Sequence, residues 1–233
     1  MLGVIALCVA FGLLALLVAL SRWLAHRPWA AAGNLAVGLG LLVFAQWLWP
    51  PVLHLQAYER MPAKPSFVIA QVHSERTGPG SYRVTLTRLP AGHMQVLEMA
   101  GDEWRLDART LAWIGRAADL GLPDSYRLDR LGGRFLQASA DATPPASYAL
   151  ADEDEPGEDI WSQARTGGSA WARRIDARHA YSDWRALADG ARYDVTLVRP
   201  PGAADPVLEA RPANEAAAKA MRYTESVNVR TEE

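Results

Sequence analysis

The chain has 233 residues, half of them apolar, and a formal net charge of −2. All 26 acidic residues and 22 of the 24 basic ones lie after position 52, so only Arg22 and Arg27 carry charge before it. This excludes a disordered chain, a collagen, a disulfide scaffold and a basic nucleic-acid binder, and it leaves residues 53–233 for one domain with its own core.

Residues 2–20 carry no charge and span about 29 Å as a helix, close to the ~30 Å hydrocarbon core of a bilayer. A second apolar run extends over 30–53, with only Asn34 and Gln46 strongly polar. Tryptophans mark the ends: Trp23 and Trp29 at one interface, Trp47 and Trp49 at the other, where indoles concentrate. Pro50 and Pro51 are expected to stop the second helix or mark its exit. A cleaved signal peptide is the rival for the first run. That run is too long, however, has no Lys or Arg before it and no A-x-A site after it. Leu7 before Cys8 also fails a lipobox.

The loop 21–29 is short enough to make the two spans an antiparallel hairpin. Ala6, Ala10, Gly33, Ala36 and Gly40 are the small residues expected to allow close approach, with Asn34 bonding across the pair. With no acidic or basic residue inside either span, the sequence offers no translocation path. Arg22 and Arg27 set the orientation. The positive-inside rule puts their loop in the cytoplasm, both termini outside and the large domain in the periplasm. The one cysteine, Cys8, lies in the membrane.

Residues 54–65 read as a juxtamembrane linker, and 66–223 as a mainly antiparallel β domain with a few short helices. Expected strands are Phe67–Val72, Tyr82–Thr87, Met94–Met99 with Met94 and Val96 on one face, Glu103–Asp107 continuing at Thr110–Ile114, and Ser125–Leu131. Turns are expected at Thr77–Gly80, Pro90–Gly92, Gly101-Asp102 and Gly132-Gly133. Arg116–Gly121 reads as a helical turn, and Glu158–Arg165 as a short helix with Ile160 and Trp161 inward. Residues 167–178 give no clear pattern. Ala191–Arg199 is a strand with Tyr193, Val195 and Leu197 on one face. Val207–Ala210 returns, and Asn214 caps a last helix. Residues 224–233 read as a flexible tail. The fold class is therefore α+β: a two-helix membrane hairpin followed by a β domain.

No nucleotide-binding, zinc-protease, C-x-x-C or S-x-x-K signature occurs. Gly167-Gly168-Ser169 lacks the second glycine of a nucleophile elbow. His54, His73, His93 and His179 have no partner at metal-ligand spacing. The run Asp152, Glu153, Asp154, Glu155, Glu158, Asp159 places Pro156 and Gln163 where a calcium loop needs oxygen ligands, and reads as a solvated acidic loop. Catalytic, cofactor and metal residues are accordingly read as none. In Gly101–Arg109 the alternating Glu103, Arg105 and Asp107 share a strand face and neutralise one another, with Arg127 and Asp129 extending the same polar face. Arginine outnumbers lysine 22 to 2, as expected from a GC-rich genome.

Several stretches carry a resemblance: Trp47–Pro50, Tyr58-Glu59-Arg60, Gly101–Arg109, Tyr126–Leu131, Ala188–Tyr193 and Ala210–Ala216. In these the chain resembles a family of short two-span proteobacterial inner-membrane proteins that often carry the label cation/multidrug efflux pump or multidrug transporter. The resemblance implies membrane placement and supplies no catalytic residue. Efflux pumps build substrate sites among many helices, which two uncharged spans do only as oligomers.

The expected function is a membrane-anchored, non-catalytic extracytoplasmic binding or scaffold protein of the cell envelope. The contact candidates are Trp161, Trp171, Tyr181 and Trp184, because Trp and Tyr are enriched in binding hot spots. Expected partners are the lipid bilayer, another envelope protein and a second copy through the hairpin; no nucleic acid is expected. The alternatives are an accessory of a transport complex and an envelope hydrolase in which His73, His93 or His179 meets a carboxylate.

Overall fold

The computed structural model describes residues 2–119, 121–136, 146–150, 160–167, 172–200 and 205–222. The chain divides into two compact units: residues 1–58 with the segment around 160–163, and the β domain formed by the rest.

In the first unit, α1 (Leu2–Leu24) and α2 (Pro28–Leu55) form the antiparallel hairpin. Each contains a 22-residue stretch long and apolar enough to cross a membrane, about 33 Å at the helical rise. Only Ala25, His26 and Arg27 separate the helices, fewer than the nine-residue loop expected, because Ser21–Leu24 continue α1. His26 takes a positive φ of 57° to close this tight turn. Nor do Pro50 and Pro51 stop α2, which runs through them to Leu55. Proline removes a backbone donor, but its fixed φ is itself helical.

The close approach is made elsewhere than the sequence suggested. A Cβ on Gly38 would meet the Gly12 carbonyl at 2.9 Å and Leu16 Cδ2 at 2.8 Å; one on Gly33 or Gly40 would meet nothing within 4 Å. The helices thus cross at Gly12 and Gly38, with Ile5, Ala45 and Val52 buried toward the other end. Asn34 donates to the Ala30 carbonyl of its own helix at 2.8 Å rather than across the pair.

The second unit is a sandwich of two antiparallel sheets around one core. One sheet has the order β11 (Val207–Pro212), β10 (Ala191–Val198), β2 (Ser66–Gly78), β3 (Ser81–Arg88), β4 (His93–Ala100). In the other, β6 (Ser125–Arg134) pairs with β5 (Glu103–Trp113), and β1 (Glu59–Arg60) and β7 (Ser147–Ala149) add to the far side of β6. β8 (Ile175–Tyr181) and β9 (Arg185–Ala186) add to the far side of β5. The strand alternation expected for β3 and β10 holds: Tyr82, Val84, Leu86, Tyr193, Val195 and Leu197 are buried. They meet Trp104, Leu106, Ala108, Leu128 and Leu131 of the opposite sheet, and Trp104 packs edge-on against Tyr193 with ring centroids 5.4 Å apart. Burial pushes the Tyr193 hydroxyl up to about 12. The sheets are stitched at Ser182, which bridges to Leu208. Its hydroxyl accepts from the Leu106 N–H at 3.0 Å.

Three further features go beyond the expectations or differ from them. In β4, Leu97 and Met99 face the core, and Met94 and Val96 are 73% and 57% exposed. Met94 and Val96 do share a face, but apolar residues occupy both faces of this strand, so periodicity alone does not say which is buried. Gly132-Gly133 is not a turn; both residues sit in β6, opposite Arg105 and Trp104. A Cβ on Gly133 would come within 3.0 Å of the Ala100 carbonyl, so glycine there serves close packing between chain segments. The linker is also fastened to the domain from Glu59 onward. Glu59 and Arg60 pair with Tyr126 and Ser125, and the Arg199 guanidinium donates to the Pro62 and Lys64 carbonyls, both at 2.9 Å.

The helical turn α3 (Arg116–Asp119) and the short helix α4 (Ile160–Thr166) lie where expected, with Ile160 and Trp161 buried. The unpatterned stretch after Gly167 contains β8. Helix α5 spans 215–222, capped as expected by Asn214, whose Oδ1 accepts from the Ala217 N–H at 3.0 Å.

Candidate functional site

The outer face of the β5–β6–β8 sheet is assembled from side chains that alternate outward from the core. Glu103, Arg105, Asp107 and Arg109 follow one another along β5 with the period of two that a strand imposes. Register then sets their neighbours: Arg134 lies opposite Glu103, Tyr181 opposite Asp107 and His179 opposite Arg109. This is the polar face expected from sequence, but it is less solvated than expected. Glu103 is only 1% exposed, and its carboxylate holds Arg134 Nε at 2.6 Å. Arg105 Nε donates to Asp107 at 3.0 Å, and Arg109 pairs with Asp129 at 2.8 Å. Burial raises the Asp107 carboxyl above its ordinary value, against the pull of Arg105. Burial likewise lowers His179 below 6.5, against the nearby Asp129 carboxylate.

Aromatic rings interleave with these charges. The Arg105 guanidinium lies 5.2 Å from the Tyr181 ring and 4.9 Å from that of Trp184. The Arg134 guanidinium lies 4.5 Å from the Trp184 ring, and His179 stacks on Tyr181 at 5.4 Å. The result is a continuous ladder: Arg134, Trp184, Arg105, Tyr181, His179. Arg105 and Arg134 are each anchored through Nε by a carboxylate of the same sheet face, while their side chains remain 36% and 40% exposed. A guanidinium carries five N–H donors in a rigid fork. An anchored guanidinium beside an indole is therefore ordered in advance for an incoming anion, at little entropic cost.

Of the four aromatic residues singled out in the sequence, the structure brings Tyr181 and Trp184 together around Arg105. Trp161 is buried at 8% exposure and offers no contact surface; its place on the inner side of a short amphipathic helix accounts for this. Trp171 lies outside the described residues, as do the acidic run 152–159, Gly168-Ser169 and the tail 224–233. Sequence reading missed Arg105 and Arg134 as contact residues. Arg105 stood out only as a neutralising charge, and the signal that pairs it with Trp184 is the β5–β9 register, which joins Trp104 to Arg185. Trp23, Trp29, Trp47 and Trp49, expected at a membrane interface, are 65%, 91%, 50% and 44% exposed on the hairpin.

A second feature is an open depression of about 460 Å3 on the outer face of the five-stranded sheet, lined by Gln71, His73, Thr85, Thr87, Arg192 and Asp194. Gln71 donates to Asp194 at 2.9 Å. His73 meets a carboxylate, as the hydrolase alternative requires: Nε2 is 3.2 Å from Glu75. Its Nδ1, however, is 3.2 Å from the Ala191 carbonyl. Both ring nitrogens thus face oxygen acceptors. Among the described residues, no group of three or more His, Cys, Asp or Glu side chains is placed to hold a metal ion.

No protein-family model, no curated protein and no solved structure matches this chain.

Proposed function

We propose that this chain is a membrane-anchored, non-catalytic binding protein of the bacterial cell envelope. The hairpin fixes it in the cytoplasmic membrane, and the β domain stands on the periplasmic side. The surface formed by Arg105, Arg134, Trp184 and Tyr181 receives an acidic group of another envelope component. One observation carries the reading: two half-exposed guanidiniums, each tied down by a carboxylate, flank one indole. Arginine and tryptophan at a preorganised site are the residues that dominate binding energy in protein interfaces. The periplasmic placement is supported by Arg22 and Arg27, the only charges within the hairpin and both at its turn.

The test is a photo-reactive residue in place of Tyr181, introduced into the full chain in native membranes. The expected result is one discrete adduct, lost on Arg105→Gln or Trp184→Ala. A photo-reactive residue at Thr196, on the other sheet, serves as the control. An unchanged adduct pattern in both variants would defeat the assignment. Reporter fusions after Glu233 test the side of the membrane: active alkaline phosphatase with dark green fluorescent protein is expected. The reverse pattern would move the partner search to the cytosol.

A further inference from the structure

Among the described residues β4 is the last strand of its sheet, and no described strand pairs with its outer edge. Within a strand the N–H and C=O of one residue point to the same side, and successive residues alternate. The Gly101 N–H donates to the Gly80 carbonyl of the neighbouring turn at 3.0 Å. The odd-numbered residues of β4 therefore face β3, and Met94, Val96 and Glu98 face the open edge. The Tyr148 hydroxyl, which donates to the Glu98 carbonyl, agrees with this assignment. The residues with unpaired edge backbone are thus the same ones whose apolar side chains stand exposed, Met94 and Val96. Natural edge strands are normally protected by lysine, proline or a bulge. His93–Ala100 contains no lysine, proline or bulge, and its one acid, Glu98, lies at the end that Tyr148 covers, which leaves Met94 and Val96 as the open part of the edge.

We propose that this edge pairs with the same edge of a second copy of the chain, extending the five-stranded sheet across a two-fold axis. The argument for a second copy is self-complementarity. Antiparallel pairing with the two Gln95 residues at the axis sets Met94 opposite the second copy's Val96, and Val96 opposite its Met94. Both residues of each pair have edge-facing backbone, so the pairs exchange four hydrogen bonds. Their side chains line up on one face as a row of four apolar groups. Any register shifted by one residue would turn one copy's apolar pair to the wrong face. The same register keeps like charges apart: Glu98, the strand's one acid, falls opposite Gly92, so the two Glu98 side chains lie at opposite ends. Tyr148 already occupies the Glu98 carbonyl, which limits the open edge to the length that two copies satisfy in each other. A two-fold contact of this kind is isologous and closes at the dimer. Anchoring both copies in one membrane raises their effective concentration.

The test uses the full chain in native membranes, with Cys8→Ser to remove the native thiol. Gln95→Cys places two cysteines at the axis in a pair whose Cα atoms are about 4.5 Å apart, within disulfide range. Mild oxidation is expected to give a covalent dimer, and Arg83→Cys, on the interior strand β3, is expected to give none. Adding Met94→Lys and Val96→Lys sets lysines opposite one another and should lower the dimer fraction about tenfold. The melting temperature should hardly move, because both side chains are exposed in the monomer. Three results would overturn the proposal: a Gln95→Cys protein that stays monomeric, dimer formation undiminished by the two lysines, or cross-linking of residue 95 to a different protein.

Discussion

Glu103 and Arg134 allow a quantitative test of how the outer face is held. Glu103 is 1% exposed and contacts Arg134 Nε at 2.6 Å. Replacing Arg134 with Met leaves a carboxylate buried without its counter-charge. Breaking a buried pair in this way costs about 3–5 kcal/mol. The Arg134 side chain is 40% exposed, so water reaches the site and about 2–3 kcal/mol is the expected loss. For a domain of this size each kcal/mol is about 2–4 °C in melting temperature, and Arg134→Met should therefore melt roughly 5–10 °C lower. Removing the charge as well, in Glu103→Gln with Arg134→Met, should bring stability back to within about 1 kcal/mol of wild type. The assay is intrinsic tryptophan emission of the full chain in detergent, heated at pH 7.5. If the single variant melts no lower than the double one, Glu103 is not desolvated and the preorganisation argument for the contact surface fails.

Three other outcomes follow from features described above. Gly133→Ala should lose about 1 kcal/mol, because the added carbon meets the Ala100 carbonyl. Gly132→Ala, whose nearest neighbour is 3.9 Å away, should be neutral; equal melting temperatures for the two would contradict their placement in β6. In the hairpin, Gly38→Leu should abolish cysteine cross-linking between α1 and α2 while Gly40→Leu leaves it intact, since of these two Gly38 alone meets the facing backbone. His179 has a folded value held below its ordinary 6.5 by burial, so the unfolded chain binds that proton first. Its contribution to stability is complete above about pH 6.5 and is lost as pH falls toward the depressed folded value. His179→Gln should flatten that part of the stability profile; an unchanged slope between pH 7 and 5 would refute the assignment.

The parts of the fold legible in the sequence were those written in a single period. β3 and β10 alternate cleanly, and their buried residues followed at once. The hairpin followed from length and charge alone, although its crossing point did not. Small residues are scattered along both helices, and only the rotation of α1 against α2 selects Gly12 and Gly38. β4 was legible as a strand but not for its buried face, because Met94, Val96, Leu97 and Met99 load both faces with apolar groups. Gly132-Gly133 looked like a turn because local chemistry cannot announce a distant carbonyl. The candidate surface was half visible. Tyr181 and Trp184 stood out as large aromatic residues, but they lie some 50–80 residues from Arg105 and Arg134 in sequence. Only the pairing of β8 and β9 with β5 brings them together.

The position of β10 has a consequence for how the protein is made. β2 gains β3 as a neighbour as soon as the next hairpin is synthesised, but its other side waits for β10, and Ala191 lies 118 residues beyond His73. At ordinary synthesis rates of about 5–20 residues per second, that interval lasts roughly 6–24 s. Throughout it β2 has β3 on one side only, and Ile69, Ala70 and Val72, buried in the finished domain, wait for the strand that closes the sheet. A chaperone that covers the open side of β2 over that interval would raise the yield of folded chain.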